Sequence, residues 1–361
     1  KHGIKLVLGY TVEGFKEKDN GVEVLLKDNP SLQADMVVLA IGVTPDTVLA
    51  KEAGLELGIK ESIVVNDRME TSVPDIYAAG DAVQVKHYVT GNDALISLAG
   101  PANKQGRIIA DNICGGDSRY LGSQGSSVIK VFDMTAATTG INETNAKKSG
   151  LEVDTVILSP MSHAGYYPGG KVMTMKVVFE KETYRLLGAQ IIGYEGVDKR
   201  IDVLATAIHA GLKATQLKDL DLAYAPPYSS AKDPVNMAGF MIDNIAKGTL
   251  KQWHLEDMDK ISRDKSVVLL DVRTVGEFNR GHMDGFKNIP VDELRERINE
   301  IEKGKPVYLI CQSGLRSYIA SRILEGNGYE TYNFSGGFRF YDAVANDHAL
   351  IERSYACGMD Y

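Results

Sequence analysis

The sequence predicts a multidomain chain that mixes α/β and α+β architecture, and three features lead to that class. At 361 residues the chain exceeds what one hydrophobic core usually organises. The run Met36 to Ile41 is apolar throughout and stops at Gly42 and Pro45, the pattern of a strand buried on both faces of a parallel sheet. Residues 266 to 332 alternate strand and helix patterns, whereas residues 126 to 246 give strands first and helices afterwards.

Taken in order, the chain opens with strand-like runs at Ile4 to Leu8, Val22 to Leu26 and Met36 to Ile41, with Asn20-Gly21 as a hairpin signal. A strand over Ile76 to Ala79 then delivers Gly80 and Asp81, and a helix is expected from about Pro101 to Ile113. Strands follow at Val128 to Val131, Thr155 to Leu158, Val172 to Phe179 and Gly188 to Gly193, then helices over Val197 to Ala210 and Pro234 to Ile245. Ala246-Lys247-Gly248 reads as a helix stop, and the polar stretch after it, with the chain's single tryptophan at Trp253, as a flexible linker that packs at one point. The last segment reads as strand Ser266 to Leu270, helix Val291 to Ile301, strand Val307 to Ile310, helix Arg316 to Leu324 and strand Glu330 to Tyr332.

Composition excludes several classes of function. A formal charge of −8 leaves no basic surface for nucleic acid. No run of about 18 apolar residues is available to span a bilayer. The three cysteines, Cys114, Cys311 and Cys357, are far apart and have neither disulfide-framework nor metal-ligand spacing, so no metal site and a reducing, cytoplasmic setting are expected. The chain starts directly in a strand pattern at Lys1-His2-Gly3 without Met, which reads as a start inside a domain.

The sharpest chemical motif is Cys311-Gln312-Ser313-Gly314-Leu315-Arg316-Ser317, between an expected buried strand and an expected helix. A loop there points backbone N–H groups and a helix N-terminus inward, an anion cradle that favours a thiolate on Cys311. Gly314 permits the tight turn, and Arg316 adds a fixed positive charge. A cysteine phosphatase would need one residue more between Cys and Arg, so this smaller cradle suits sulfur better than a phosphate monoester. Upstream, Asp271-Val272-Arg273, Glu277-Phe278, Gly281-His282 and Asn288-Ile289-Pro290, and downstream Gly336-Gly337-Phe338, complete a pattern over residues 256 to 345 that resembles the rhodanese family. The resemblance implies a persulfide carried on Cys311 and a fold-supporting role for Asp271 and Arg273. His282 is open between structural and functional use, and Cys357 between a resolving thiol and a plain tail residue.

The stretch from Thr71 to Ala82 and the preceding Val38 to Pro45 resemble the second flavin-binding motif of pyridine nucleotide-disulfide oxidoreductases and the segment just before it. By that resemblance Gly80 and Asp81 meet the ribityl chain of FAD, and Leu98, Ala99 and Pro101 open a helix toward the flavin pyrimidine ring. Ile41 and Gly42 lie on the nicotinamide side. The run Leu222 to Asn236 is similar to the dimer domain of coenzyme A-disulfide and NADH-dependent persulfide reductases. It implies a homodimer in which Tyr224 and Tyr166 reach the partner's active site, with Tyr167 and Tyr228 as substitutes, and Asn103, Tyr228 and Lys232 near coenzyme A or substrate. A phenol there can hydrogen-bond a sulfur or protonate a leaving thiolate.

Together the resemblances imply partial Rossmann-like FAD/NAD(P) domains, an α+β dimerisation domain and a C-terminal rhodanese α/β domain. The expected divisions are 1–46 for the end of an NAD(P)-binding domain, 47–124 for the end of an FAD-binding domain, 125–246 for dimerisation, 247–255 for the linker and 256–361 for rhodanese. FAD, NAD(P)H and a bound coenzyme A are the implied cofactors, and a disulfide, persulfide or polysulfide the implied substrate. No Gly-rich dinucleotide loop and no redox cysteine near a flavin motif occur in the sequence, so about two hundred preceding residues are expected by resemblance. Two alternatives stay open: a disulfide reductase with a purely structural rhodanese domain, and, for this chain alone, a sulfurtransferase or binding module.

Overall fold

The structure, a computed structural model, describes residues 3–345 and falls into two units, the first ending at Val43 and the second running Thr44–Phe340. The first holds an antiparallel sheet of Val12–Lys18, Gly21–Leu26 and Asn29–Ala34. Its hairpin turns at Asp19-Asn20, and Gly21 is required there, because at φ +128 a Cβ would lie 2.5 Å from the Ala34 carbonyl oxygen. The expected strands at residues 4 to 8 and 36 to 41 do not form. The second segment is open to solvent, with Met36 76% and Ile41 90% exposed. An apolar run becomes a buried strand only where neighbours take its backbone hydrogen bonds, and no described strand flanks this one.

Residues 76 to 79 are likewise not a strand. Tyr77 makes a single bridge to Glu70, and Asp75 takes φ +63, which breaks the extended run and hands it to a turn. The Gly80–Ala82 turn leads instead into the strand Val83–Lys86, backed by the helix Ala99–Ile113. Next comes an antiparallel five-stranded sheet, ordered Ser127–Val131, Met134–Gly140, Leu186–Gly193, Thr174–Glu180 and Val153–Leu158. After Met134 the strand Met134–Gly140 holds only small residues and threonines, with no apolar alternation to announce it. The helices Val197–His209 and Pro234–Ala246 belong to the same core, where Met175, Val177, Ile191, Leu204 and Ile242 are fully buried.

The C-terminal sheet is parallel, ordered Gln252–Trp253, Thr331–Phe334, Val307–Ile310, Val268–Asp271 and Lys287–Asn288. Residues 252 and 253 are therefore an edge strand and not a flexible linker. Trp253 is buried against Phe286 and Phe334, while Gln252 and His254 reach back to Asp154 at 3.1 and 3.0 Å. Burying so large an aromatic removes any freedom the polar composition suggested. The helix expected over 291 to 301 is a series of tight turns closed by a short 3-10 segment, Ile298–Glu300. Its apolar positions Val291, Leu294, Ile298 and Ile301 still face the core, so the spacing was correct where the hydrogen bonding was not.

Candidate active sites

The cysteine loop forms where the strand Val307–Ile310 ends and the helix Leu315–Glu325 begins. Gly314 caps that helix at φ +99 and turns its N–H onto Cys311 Sγ at 3.1 Å, and the Ser317 hydroxyl donates to the same sulfur at 3.2 Å. Both donors favour negative charge on sulfur. Cys311 is 1% exposed. The loop is held from behind: Phe338 N–H donates to the Cys311 carbonyl at 2.8 Å, Arg339 N–H to the Gln312 carbonyl at 3.2 Å, and Asn333 Nδ2 to the Gly314 carbonyl at 3.2 Å. Gly337 approaches so closely that a Cβ there would lie 2.6 Å from the Ser313 nitrogen.

Arg316 is not a lone cation. Its two terminal nitrogens bind the two Glu277 oxygens at 2.7 Å each, the bidentate geometry of guanidinium and carboxylate. That pairing holds the Glu277 carboxyl down at about 2, and Glu277 also caps the helix Val275–Arg280 through Thr274. The charge expected beside the sulfur is thus balanced one residue shell away. Asp271 and Arg273 form a buried ion pair at 2.7 Å, with the guanidinium 3.9 Å over the Phe338 ring. His282 stacks on Phe278 and its Nδ1 lies 3.1 Å from the Phe278 carbonyl. Cys357 lies outside the described residues.

Far along the chain, Tyr166 and Tyr224 meet with their hydroxyls 2.9 Å apart. Both are exposed, and the hydrogen bond shared with Tyr166 is the chief cause raising the Tyr224 phenol above its ordinary value. Beside Tyr224 opens a cleft of 530 Å³ lined by Tyr228, His163, Glu195, Lys199 and Arg200. Tyr167 packs edge-on against His163. Lys232 sits 5.9 Å from the Phe240 ring, and Asn103 donates to the Ala99 carbonyl, so neither hydrogen-bonds to the tyrosine pair. Buried beneath the cleft is an ion pair, Arg200 with Asp233 at 2.9 Å, that the sequence did not single out.

The Gly80–Ala82 turn sits against the helix Ala99–Ile113, with Gly80 N–H donating to Gln105 Oε1 at 2.7 Å. Leu98 starts that helix without a side-chain cap, leaving first-turn N–H groups without an internal acceptor, and Pro101 follows in the first turn. Asp81 is exposed. Ile41 and Gly42 belong to the other unit and are exposed.

Three family models match: pyridine nucleotide-disulphide oxidoreductase over residues 1–106, the dimerisation domain of the same oxidoreductases over 126–234, and a rhodanese-like domain over 254–343. The chain belongs to the pyridine nucleotide-disulphide oxidoreductases. It carries a rhodanese-like domain as well, and known structures hold the same combination. The reduced Bacillus anthracis CoADR-RHD is 46% identical with a TM-score of 0.90, covering 94% of this chain and 60% of that one. An NAD-dependent persulfide reductase from A. fulgidus is 40% identical with a TM-score of 0.83, covering 92% and 61%. A CoA-dependent NAD(P)H sulfur oxidoreductase of Pyrococcus abyssi is 37% identical over 65% of this chain. The chain spans about half the length of the curated relatives it matches, 52% in that case. Among the described residues no helix of the chain is long and apolar enough to cross a membrane.

Proposed function

We propose that this oxidoreductase takes part in NAD(P)H-dependent, FAD-dependent reduction of a coenzyme A disulfide, coenzyme A persulfide or polysulfide, and passes sulfur through a persulfide on Cys311. The observation that carries the proposal is the Cys311 sulfur itself, which receives two hydrogen bonds inside a glycine-backed loop. Cys311 thiolate attacks the outer sulfur of a donor R–S–S⁻; the donor S–S bond breaks as the Sγ–S bond forms, and RS⁻ leaves with no net oxidation. The Gly314 N–H and the Ser317 hydroxyl then stabilise the charge that stays with the enzyme.

The residues fit a flavin: Gly80 has only the Ala102 methyl, at 3.9 Å, near where a side chain would be, Asp81 offers a free carboxylate to sugar hydroxyls, and the helix start at Leu98 is uncapped. When bound, FAD supplies the two-electron relay from NAD(P)H. The full reaction, NAD(P)H, a proton and CoA–SSH giving NAD(P)⁺, CoA–SH and H₂S, is proposed for a protein of the relatives' length. In it Tyr166 and Tyr224 bind the substrate sulfur of the partner subunit in a homodimer and hold the proton for the leaving thiolate. Ile41 and Gly42 border the nicotinamide, and Asn103, Tyr228 and Lys232 border coenzyme A. We assign 1–46 to the NAD(P) domain, 47–124 to the FAD domain, 125–246 to dimerisation and 256–361 to rhodanese, in a cytoplasmic protein whose reduced Cys311 suits that compartment.

The test is cyanide-dependent sulfur transfer from thiosulfate and polysulfide by this chain beside Cys311→Ala. Parent activity with an added mass of about 32 Da on Cys311, both lost in the variant, is the expected result. A parent with neither activity nor adduct would leave the domain as scaffold and sink the sulfur-transfer half.

A further inference from the structure

Arg200 is 1% exposed, one of the largest fully buried side chains, and the chemistry above does not use it. It stands in the first turn of Val197–His209 with its side chain turned back to the helix start. Its Nη2 donates to the Ser162 carbonyl at 2.9 Å, to Asp233 Oδ2 at 2.9 Å and to the Tyr228 carbonyl at 3.3 Å, and its Nη1 reaches the Gly196 carbonyl at 3.3 Å. The Ser229 hydroxyl bridges the pair, 3.2 Å from Nη2 and donating to Asp233 Oδ2 at 2.7 Å. Asp233 in turn caps the helix Pro234–Ala246 through the Val235 N–H. So many fixed acceptors around one cation call for the planar guanidinium, which a lysine ammonium does not reproduce.

The segments joined in this way are the two that carry the tyrosines. Ser162 precedes Tyr166 by four residues and Tyr228 follows Tyr224 by four, and the Ala164 N–H closes the clamp by donating to the Ser229 carbonyl at 3.0 Å. The tyrosine rings are exposed, so little packing keeps their hydroxyls together, and the register of the loops beneath must do so. Gly196 is fitted to the same cation: at φ +68 a Cβ there would lie 2.1 Å from Arg200 Nη1.

We propose that Arg200, neutralised by Asp233, is the positioning residue that sets the Tyr166 and Tyr224 loops in register and so brings their hydroxyls into contact. Its catalytic consequence rests on the tyrosine role proposed above; the positioning does not.

Photo-oxidation of this chain with a ruthenium bipyridyl complex and persulfate couples neighbouring tyrosine rings, and peptide mass spectrometry identifies the joined pairs. The parent gives a Tyr166–Tyr224 crosslink and, as an internal reference, Tyr308–Tyr332, whose rings stack at 4.9 Å in the C-terminal sheet. Arg200→Met and Gly196→Ala each lower the first yield about ten-fold and leave the second unchanged, as loss of several charged hydrogen bonds at the loop base dictates. No 166–224 crosslink in the parent, or an undiminished one in the variants, overturns the proposal. Should Arg200→Met lose its cooperative melt, Ser229→Ala, which keeps both charges, replaces it; a drop of roughly three-fold supports the clamp and none overturns it. Tyr166→Phe with undiminished reductase turnover in a protein of the relatives' length would remove the tyrosines' role while leaving the crosslink result standing.

Discussion

Cys311 is 1% exposed and takes both its hydrogen bonds from residues within six positions along the chain, whereas Tyr166 is 76% exposed and finds its partner hydroxyl across 58 residues of chain. The first site is made by backbone geometry that a short motif dictates. The second is made by a buried ion pair on which two loops rest. Local construction fixes a sulfur with glycines, and distant construction fixes two phenols with a charge. The two sites should therefore fail differently when perturbed.

The largest effect is expected at Gly337, where an added methyl meets the Ser313 nitrogen at 2.6 Å and φ is +67. Gly337→Ala should lower sulfur transfer about a hundred-fold by displacing the loop, and lower the melting temperature as well, since backbone atoms must give way to the methyl. Full activity would mean that the loop tolerates movement and that the contrast with the tyrosine cleft is weaker than drawn.

An intermediate effect is expected at Glu277, whose carboxyl sits at about 2 in the fold against 4.5 outside it. A lowered carboxyl pKa contributes stability that is fully present above pH 4.5 and fades as pH falls through 2. With the pair partly open to water, Glu277→Gln should cost about 1–3 kcal/mol at pH 7 and progressively less as pH falls through 2, read from denaturant unfolding across that range. A pH-independent difference would show that packing, not charge, ties the loop helix to its neighbour.

The smallest effect is expected at the tyrosines. Removing the Tyr166 hydroxyl releases Tyr224, so Tyr166→Phe should let Tyr224 ionise at lower pH, followed by carbon NMR of ring-labelled tyrosine. An unmoved titration would mean that the hydroxyls are not in contact in solution.

The sequence disclosed the Cys311 loop nearly complete, because strand, cysteine, glycine, arginine and helix follow one another and each has a local reason. It disclosed the tyrosines only through resemblance, and Arg200 not at all. A single arginine in a helix reads as surface until its acceptors are known, and these lie at positions 162, 196, 228 and 233. One trace was visible: Asp233 before Pro234 is a helix-start pair, and Gly196 stands four residues before Arg200. The apolar run at 36 to 41 misled for the opposite reason, since apolar content states what a strand prefers and not whether neighbours exist to pair with it. Likewise Trp253 showed that residues 247–255 pack, but the parallel partner that makes 252 and 253 a strand lies about eighty residues on.

That short strand has a consequence for anyone who separates the two C-terminal domains. A cut at residue 256, where the rhodanese resemblance starts, strips Gln252 and Trp253 from the sheet and leaves Thr331–Phe334 as a bare edge with unpaired backbone groups. Such an edge is a template for other chains, so the excised domain should aggregate where one cut before Gly248 stays monomeric.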